Sequence, residues 1–514
     1  MSLTTLPYLL AFSAQGEAWR FTGFLLGVED GNSYIAKMLR GAAGDFLFRT
    51  PYTAYPQHGA LAFLPYLLLG KLSAPPARHE QLVALFHLYR FAAGILAILA
   101  TDAFLGYFLP QRNWRRWALV LVTLGGGLGW LVMLSGGPAP GWRNLPLEFY
   151  SPESFGFLAL YGLPHLAMAR ALLLWGWLAL LREHPCRAGL LWLAMGFFQP
   201  LTIVVGWAVL GAWTILPVLG DIYRARRGIP FPRKARRTAL QRAAVVVGIS
   251  SPPVLYTALT FGRDPILRAW TAQNIIASPP PLQYLLAYGL TLPFLGLFLW
   301  RRRAGERPPQ TGPLLAWVFL LPFLVYAPYN LQRRLAEGGW VALVTLAALG
   351  AQTRLSLRRF QFLTALLLPS TLLILAGGVL SALRPAPPLF IPAAEAAFFE
   401  KSAALVAPND VVLASYETGN LLPAWIPAFV VIGHGPESVH LAALAPRVAA
   451  FYAAETPDSL RRALLEAFDV RWVVWGSAER ALGDADLSRM PFLRLAGDEG
   501  GYSLWEVVEM QNEE

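Results

Sequence analysis

The chain has 514 residues, of which 56% are hydrophobic and only 14% are charged. Ordinary soluble domains carry about 25% charged residues, so the composition excludes a soluble protein and indicates that lipid solvates part of the surface. The net charge of +11 comes from short arginine runs between apolar segments, which is typical of membrane topology and argues against nucleic-acid binding. The single cysteine, Cys186, excludes an intramolecular disulfide and a cysteine metal cluster.

Apolar segments long enough, or nearly long enough, to cross a bilayer recur from the N-terminus to residue 383. The first, TLPYLLAF, is short and is predicted to be an N-terminal helix. Segment 188–219 is too long for one crossing and contains Gln199-Pro200, so we predict two helices that meet there. The other predicted spans are 84–109, 117–135, 158–181, 243–260, 283–300, 312–329, 339–351 and 361–383, which gives eleven in all.

The arginine-rich turns between these segments decide the sidedness of the protein. With eleven spans, every such turn falls on the cytoplasmic side. This alternation requires that 58–74, which contains Pro65, lie at the membrane interface and not cross. The pieces predicted outside are 15–83, 136–157, 261–282 and everything after about residue 384.

From Arg384 onward the sequence changes to short apolar runs that alternate with amphipathic helices. Strands separated by helices favour a small α/β domain with a partly parallel sheet. We therefore predict an all-α membrane bundle over 1–384 and an extracytoplasmic α/β domain over 385–514, in a multi-pass protein of the plasma membrane. The predicted strands are 410–415, 428–433, 470–476 and 502–508, and the predicted helices are 393–407, 437–454 and 458–468.

Two adjacent carboxylates, Glu29 and Asp30, follow the first predicted helix, and the polar residues Asn32 and Tyr34 come next. A carboxylate at the membrane surface can take a proton from an acceptor hydroxyl, because partial burial raises its pKa towards the working range. It can equally hold a divalent cation such as Mg or Mn, which prefers hard oxygen ligands. The structural alternative is that Asp30 caps the helix SYIAKMLRG. We favour a functional role for these carboxylates over a helix cap, since carboxylates at bilayer edges are rare.

A second candidate site lies at the outer end of the ninth predicted span, in NLQRRLAEG. Positive charge is depleted outside the membrane, and guanidinium forks bind phosphate bidentately. The pair Arg333 and Arg334, with the preceding Gln332, therefore predicts a site for a lipid or sugar phosphate. The alternative is that these arginines only contact lipid headgroups.

Histidines supply two further candidates. His165 follows a proline at the predicted outer start of the fourth span, where it can bind a phosphate or position a sugar, or simply pack. The case for a functional role of His58 depends on its position in the first loop alone. The segment GHGPE at 433–437 can hold an anion on its backbone amides, although a tight turn is the favoured interpretation. The sequence has no P-loop and no HExxH motif, which argues against an ATP-driven pump and a common zinc protease.

EDGNSYIAKM, the PYT of the first loop, PHLAMA and NLQRRLAEG resemble bacterial multi-spanning proteins of the GT-C class of membrane glycosyltransferases. That class includes protein mannosyltransferases, aminoarabinose transferases and oligosaccharyltransferases. The resemblance implies transfer of a hexosyl or pentosyl group from a polyprenyl-phosphate donor to a lipid, glycan or protein acceptor outside the cytoplasm. It implies that Asp30 or Glu29 is the acidic catalytic position, with Asp30 as base or metal ligand. Arg333 and Arg334 would stabilise the departing lipid phosphate.

Two other classes of function stay open at this point. A transporter or lipid flippase also uses broken helices and intramembrane charges, although we see no symmetric pair of interrupted helices in the two halves. A non-catalytic scaffold would use the C-terminal domain to bind a partner. In either case the expected partners include membrane lipids and exclude nucleic acid.

Overall fold

The computed structural model describes residues 1–76, 78–137, 145–226, 233–303 and 310–508. The arginine-rich turn predicted to be cytoplasmic contains Arg224, Arg226, Arg227, Arg233, Lys234, Arg236 and Arg237, and Arg227 lies outside these ranges, as does the middle of the predicted outer piece 136–157. The chain forms two compact units. Unit 1 comprises Met1–Thr4, Tyr89–Leu259 and Ile275–Gly377, and unit 2 comprises Thr5–Leu88, Thr260–Asn274 and Gly378–Glu514. The first loop thus shares a unit with the C-terminal region, while the predicted domain division at residue 384 remains a prediction.

Helices dominate the chain as far as residue 382. Their bounds are α1 Ser2–Ser13, α2 Val28–Ala42, α3 Leu64–Gly70, α4 His79–Phe108, α5 Arg112–Leu124, α6 Gly129–Leu134, α7 Phe157–Gly162, α8 Pro164–Leu181, α9 Pro185–Met195, α10 Pro200–Ala225, α11 Arg233–Arg263, α12 Pro265–Gln273, α13 Pro281–Tyr288, α14 Leu292–Arg303, α15 Gly312–Val325, α16 Gly339–Ala351, α17 Leu357–Thr364 and α18 Pro369–Ala382. Short 3-10 turns lie at Leu147–Phe149, Gly289–Thr291, Gln332–Ala336 and Ala365–Leu367.

Several of these helices are long and apolar enough to cross a membrane. In the described residues six qualify, and the bent pair α17 and α18 makes a seventh if it is one span. The six are His79–Phe108, Pro164–Leu181, Pro200–Tyr223, Arg233–Arg263, Pro281–Trp300 and Gln332–Ala351. The prediction of a helical integral membrane protein is confirmed, whereas the predicted count of eleven spans is not.

Two helix breaks lie within the predicted spans, and one of them was predicted. The break predicted at Gln199-Pro200 is present, because α9 ends at Met195 and α10 begins at Pro200, which lacks a backbone N–H. The predicted span 117–135 is instead two short helices, α5 and α6. Gly126 and Gly127 lie against the buried Glu148, which accepts a bond from the N–H of Gly129 at 2.6 Å. The segment 58–74 contains only the seven-residue α3, too short to cross.

A buried ion pair organises the centre of unit 1. The guanidinium of Arg170 on α8 donates to both carboxylate oxygens of Glu337, at 2.6 and 3.0 Å. The same guanidinium donates to the carbonyls of Phe155 and Pro152, at 3.1 and 2.8 Å. Because a buried charge is costly unless it is fully paired, these bonds fix α8 against the segment that carries Arg333 and Arg334.

The C-terminal part of unit 2 is an α/β domain, as predicted. The strands β3 Val411–Leu413, β4 Phe429–Val430, β5 Val470–Trp475, β6 Leu493–Glu499 and β7 Tyr502–Val507 form a sheet in the order β4-β3-β5-β7-β6. β3 is parallel to β4 and β5, and the β5–β7 and β6–β7 pairs are antiparallel. The helices are α19 Ala393–Ser402, α20 Tyr416–Leu421, α21 Leu441–Tyr452, α22 Asp458–Ala467 and α23 Ser477–Leu482.

The first loop is joined to this domain through main-chain contacts. Strand β1 Trp19–Phe21 pairs antiparallel with β2 Phe390–Pro392. Farther along the loop, the carbonyl of Pro51 accepts a hydrogen bond of 2.8 Å from the N–H of Val430 in β4. Residues near position 20, position 50 and position 430 are therefore held together in one folded unit, which sets the geometry of the site described next.

Candidate functional site

Glu29 and Asp30 lie in the first turn of α2. The helix begins at Val28, directly after Gly27, whose φ of 58° is in the left-handed region that favours glycine. The partial positive charge of the helix N-terminus favours carboxylates in this turn. Since Asp30 lies inside the helix, it is not the N-cap residue of the structural alternative. Its side chain is 60% exposed, more open than the partial burial expected from the sequence.

The carboxylate of Asp30 contacts a buried histidine from the C-terminal domain. His434 Nε2 lies 3.3 Å from Asp30 Oδ1, and His434 Nδ1 lies 3.7 Å from Oε1 of Glu437. The imidazole therefore sits between two carboxylates, with its ring centroid 5.2 Å from that of Tyr52. Burial by itself lowers the pKa of His434, but Glu437 and Asp30 outweigh burial and raise this pKa above its ordinary value.

Glu437 is buried and accepts hydrogen bonds from three side chains of the first loop and α2. Its Oε1 accepts hydrogen bonds from Lys37 Nζ at 2.7 Å and from Ser33 Oγ at 2.9 Å. Its Oε2 accepts one from Thr50 Oγ1 at 2.6 Å. Burial favours a raised pKa, yet Lys37 and His434 together hold the pKa of Glu437 below its ordinary value, so the group is a carboxylate at neutral pH. We call Asp30, His434, Glu437 and Lys37 the Asp30 cluster.

Glu29 has a different role from its neighbour. Its Oε1 accepts hydrogen bonds from the backbone N–H of Gly435 at 2.9 Å and from the hydroxyl of Tyr416. Three residues later on the same helix, Asn32 Nδ2 donates to Asn420 Oδ1 at 2.8 Å. The GHGPE segment does bind an anion on a backbone amide, and that anion is Glu29 itself. Glu29 and Asn32 thus attach the first loop to the C-terminal domain.

The other first-loop candidates lie away from the Asp30 cluster's hydrogen bonds. The ring of Tyr34 stacks on Tyr66, with centroids 4.7 Å apart and planes at 9°, and on Phe86 at 6.0 Å. Tyr34 is therefore part of an aromatic stack that packs α2 against α3 and α4. His58 is exposed in the loop. The roles proposed for Tyr34 and His58 in substrate binding remain predictions.

Arg333 and Arg334 lie in unit 1, in the 3-10 turn Gln332–Ala336. Arg334 Nε is 3.5 Å from Oε1 of the buried Glu153. The guanidinium of Arg333 lies over the ring of Tyr150, 4.7 Å from its centroid, and its buried Nε has no hydrogen-bond partner in the described part of the chain. Arg334 is therefore near a carboxylate, whereas the contact of Arg333 is with an aromatic ring.

Gln332 and His165 are half-buried in the same unit, His165 as the second residue of α8. Glu29, Asp30, Asn32, Tyr34 and His58 belong to unit 2, while His165, Gln332, Arg333 and Arg334 belong to unit 1. The contacts described above for each set of residues are contacts within one unit. Their predicted convergence on one cavity stays a prediction.

A divalent cation needs several hard ligands around one point. Among residues 1–76, 78–137, 145–226, 233–303 and 310–508, no group of three or more His, Cys, Asp or Glu side chains is arranged to hold a metal ion. The carboxylate of Glu29 bonds Tyr416 and Gly435, and that of Asp30 lies against His434. The donor set does not fit a resident cation, and no chemical step below passes through one.

The sequence indicated Asp30 but not its partners. His434 and Glu437 lie in the GHGPE segment, for which a tight turn was the favoured interpretation. Lys37 lies in the middle of α2. One signal was present: Lys37 falls on the buried side of an amphipathic helix, where an ammonium requires a carboxylate partner. The sequence gives no means of choosing Glu437, 400 positions away, as that partner.

No family model matches the chain, and no curated protein matches its sequence. Solved structures do match. The oligosaccharyltransferase of Archaeoglobus fulgidus in its apo form is 13% identical with a TM-score of 0.51, over 100% of this chain and 74% of that one. The same organism's AglB with an inhibitory peptide and a dolichol-phosphate is 12% identical with a TM-score of 0.52, over 92% and 69%. ArnT from Cupriavidus metallidurans bound to undecaprenyl phosphate is 14% identical, with a TM-score of 0.48 over 99% and 98%.

These structures are of GT-C membrane glycosyltransferases, and the two AglB matches show that this chain has the same fold. The GT-C-like fold predicted from the short motifs is thereby confirmed. At such low identity the likeness extends to the fold alone, so activity has to be argued from the residues of this chain.

Proposed function

We propose that the protein is an integral membrane glycosyltransferase that moves a sugar from a polyprenyl-phosphate-linked donor to a lipid, glycan or protein acceptor on the extracytoplasmic face. One observation carries the proposal: in a chain with the GT-C fold, an exposed carboxylate, Asp30, is held by a buried, ion-paired histidine at a helix N-terminus. The similarly folded AglB has been solved with a dolichol-phosphate, which supports a lipid phosphate donor.

Asp30 acts as the general base in this proposal. The acceptor oxygen attacks the anomeric carbon of the donor sugar while the bond from that carbon to the phosphate oxygen breaks, which inverts the configuration. The acceptor proton passes to the carboxylate of Asp30, and the electron pair of the broken bond leaves on the lipid phosphate. The contacts of Glu29 with Gly435 and Tyr416 assign it to docking of the loop, so Asp30 is the base of the adjacent pair.

The leaving lipid phosphate gains negative charge as the bond breaks, and a preorganised cation stabilises that charge. Arg333 fits this role better than Arg334, because its only neighbour among the contacts above is the face of Tyr150. Arg334 shares its charge with Glu153 and orients the turn. His165, Gln332, Asn32, Tyr34 and His58 keep their predicted roles in substrate binding as part of this proposal.

Sidedness belongs to the same proposal. Eleven crossings place every arginine-rich turn in the cytoplasm and place the first loop and residues 385–514 outside. The folded contact between the first loop and the C-terminal domain supports this, because two segments of one compact unit have to lie on the same side of the membrane.

The test is transfer in vesicles that contain the protein and labelled hexosyl or pentosyl polyprenyl phosphates. We expect wild-type protein to transfer label, Asp30→Asn to abolish transfer, and Glu17→Gln, which alters another exposed first-loop carboxylate, to leave it unchanged. Undiminished transfer by Asp30→Asn contradicts the assigned role. Solute uptake or lipid scrambling by the same vesicles without sugar transfer contradicts the enzymatic proposal and favours a transporter or flippase.

A further inference from the structure

The turn that carries His434 is rigid. The N–H groups of Gly433 and His434 both donate to Ser438 Oγ, at 2.9 and 3.0 Å, and the N–H of Ser438 returns a bond of 2.8 Å to the carbonyl of His434. The side chain of His434 is only 9% exposed. The imidazole therefore has a fixed position set by the C-terminal domain, while the Asp30 carboxylate that it meets is largely exposed.

The two ring nitrogens of His434 face different groups. Nε2 lies 3.3 Å from Asp30 Oδ1, and Nδ1 lies 3.7 Å from Glu437 Oε1. Glu437 is already bonded to Lys37, Ser33 and Thr50, so it does not need the histidine for its hydrogen bonds. The contact through Nε2 is thus the one that reaches an exposed side chain, and a purely structural histidine has no need of it.

We propose that His434 is a positioning residue: its Nε2–H donates to Asp30 Oδ1 and fixes the direction of the base, so the C-terminal domain is a required part of the active site. This inference rests on the proposed function. On this inference the membrane helices and the first loop do not make a complete active site without the C-terminal domain.

The chemistry of the two ring nitrogens provides the test. In His434→Gln the side-chain amide nitrogen reaches the place of Nε2 and can still donate to Asp30. In His434→Asn the amide reaches only the place of Nδ1, towards Glu437. We expect His434→Gln to stay within a few-fold of wild-type kcat and His434→Asn to lose about ten- to hundredfold in kcat. KM for the labelled donor should change little in either variant.

A second histidine on the same connection supplies the matched control. The ring of His440 packs edge-on against Tyr55, 5.6 Å away, and its backbone φ of 60° is one that asparagine tolerates. His440→Asn should therefore keep wild-type kcat. Ser438→Ala, which removes the acceptor that fixes the turn, should lower kcat in the same direction as His434→Asn without altering the ring.

The activities of these variants decide whether His434 positions Asp30. Equal activity of the Asn and Gln variants, or a larger loss in Gln, overturns the positioning role, as does wild-type kcat in His434→Asn. A loss of Tm in detergent shared by both variants, with equal loss of activity, shows a structural role and also overturns it. If Asp30→Asn retains transfer, the proposed function itself fails; if Asp30→Asn is inactive and His434→Asn is fully active, only the present inference fails.

Discussion

The backbone N–H of Gly435 donates to Oε1 of Glu29 at 2.9 Å, although the two residues are 406 positions apart in the sequence. This bond separates the roles of two adjacent carboxylates that the sequence left equivalent. Glu29 is engaged by the C-terminal domain, and Asp30 presents an exposed carboxylate. The first loop is thereby both the attachment point of the domain and the source of the proposed base.

The separation of roles predicts an order of effects on turnover. Asp30→Asn should lower kcat by at least about 100-fold, the low end of the usual contribution of a general base. Glu29→Gln keeps an oxygen acceptor for Gly435 and should stay within about tenfold of wild type. Steady-state transfer assays on both variants check this. A larger loss in Glu29→Gln than in Asp30→Asn would reverse the assignment.

The buried pair of Lys37 and Glu437 predicts a large loss of stability when one partner is removed. Lys37→Met leaves the Glu437 carboxylate buried with its ammonium partner gone, which should cost about 3–5 kcal/mol. Lys71→Met is the control, because the Lys71 ammonium contacts the carbonyl of Gly41, at 3.1 Å, and the ring of Phe46, and not a buried carboxylate. Thermal unfolding in detergent compares them. The double variant Lys37→Met with Glu437→Gln should recover part of the loss; no recovery would mean that the pair is not the cause.

Sequence patterns predicted local features well where one residue decides them. Pro200 cannot donate a backbone hydrogen bond, so the break in the long segment 188–219 was predictable. The break at Gly125–Gly127 was missed, since a buried carboxylate, Glu148, holds those glycines and hydropathy does not detect it. The six or seven candidate spans among the described residues therefore leave the predicted count of eleven unconfirmed.

Only the first-loop part of the site could be predicted from the sequence. Asp30 stood out because a carboxylate pair after an apolar helix is unusual, whereas His434 joined it from 404 positions away through the fold of the C-terminal sheet. Strand β6 was missed as well, because its exposed residues give it no apolar alternation.

Unit 1 has its own test in the pair Arg170 and Glu337. Arg170→Gln removes a bidentate bond and two further bonds to carbonyls, and should cost about 3–5 kcal/mol because Glu337 stays buried. Arg334→Gln should cost less, because its contact with Glu153 is longer, at 3.5 Å, and its side chain is one-third exposed. Unfolding of both variants by added SDS measures the difference. Equal losses would contradict the ranking.

The C-terminal domain should lose stability as pH rises. Burial and the carboxylate of Glu479 raise the pKa of Glu395, on α19, from 4.5 to about 7. Between these two values the unfolded chain releases a proton that the folded domain retains, so the contribution of Glu395 to stability falls as pH rises from about 4.5 to 7 and is level above. The change amounts to about 3 kcal/mol at 1.36 kcal/mol per pH unit.

Glu395→Gln carries no charge and should abolish this dependence. Hydrogen exchange of Ala393–Ser402 in the full chain, compared between wild type and variant at each pH, cancels the intrinsic effect of pH on exchange. We expect the two proteins to match near pH 5 and wild type to exchange faster above pH 7. Identical exchange at both pH values would show that Glu395 is not the titrating group.

Asp30 and the arginine pair are proposed to serve one sugar phosphate, and a structure with a bound polyprenyl phosphate would show whether they do. The measured quantities are the distances from the phosphate oxygens to the guanidinium groups of Arg333 and Arg334, and from the phosphate to the Asp30 carboxylate. We expect the oxygens at hydrogen-bond distance, about 3 Å, from Arg333, with Asp30 across a space that one sugar fills. A phosphate bound elsewhere, or Asp30 on the other side of the membrane, would contradict the account.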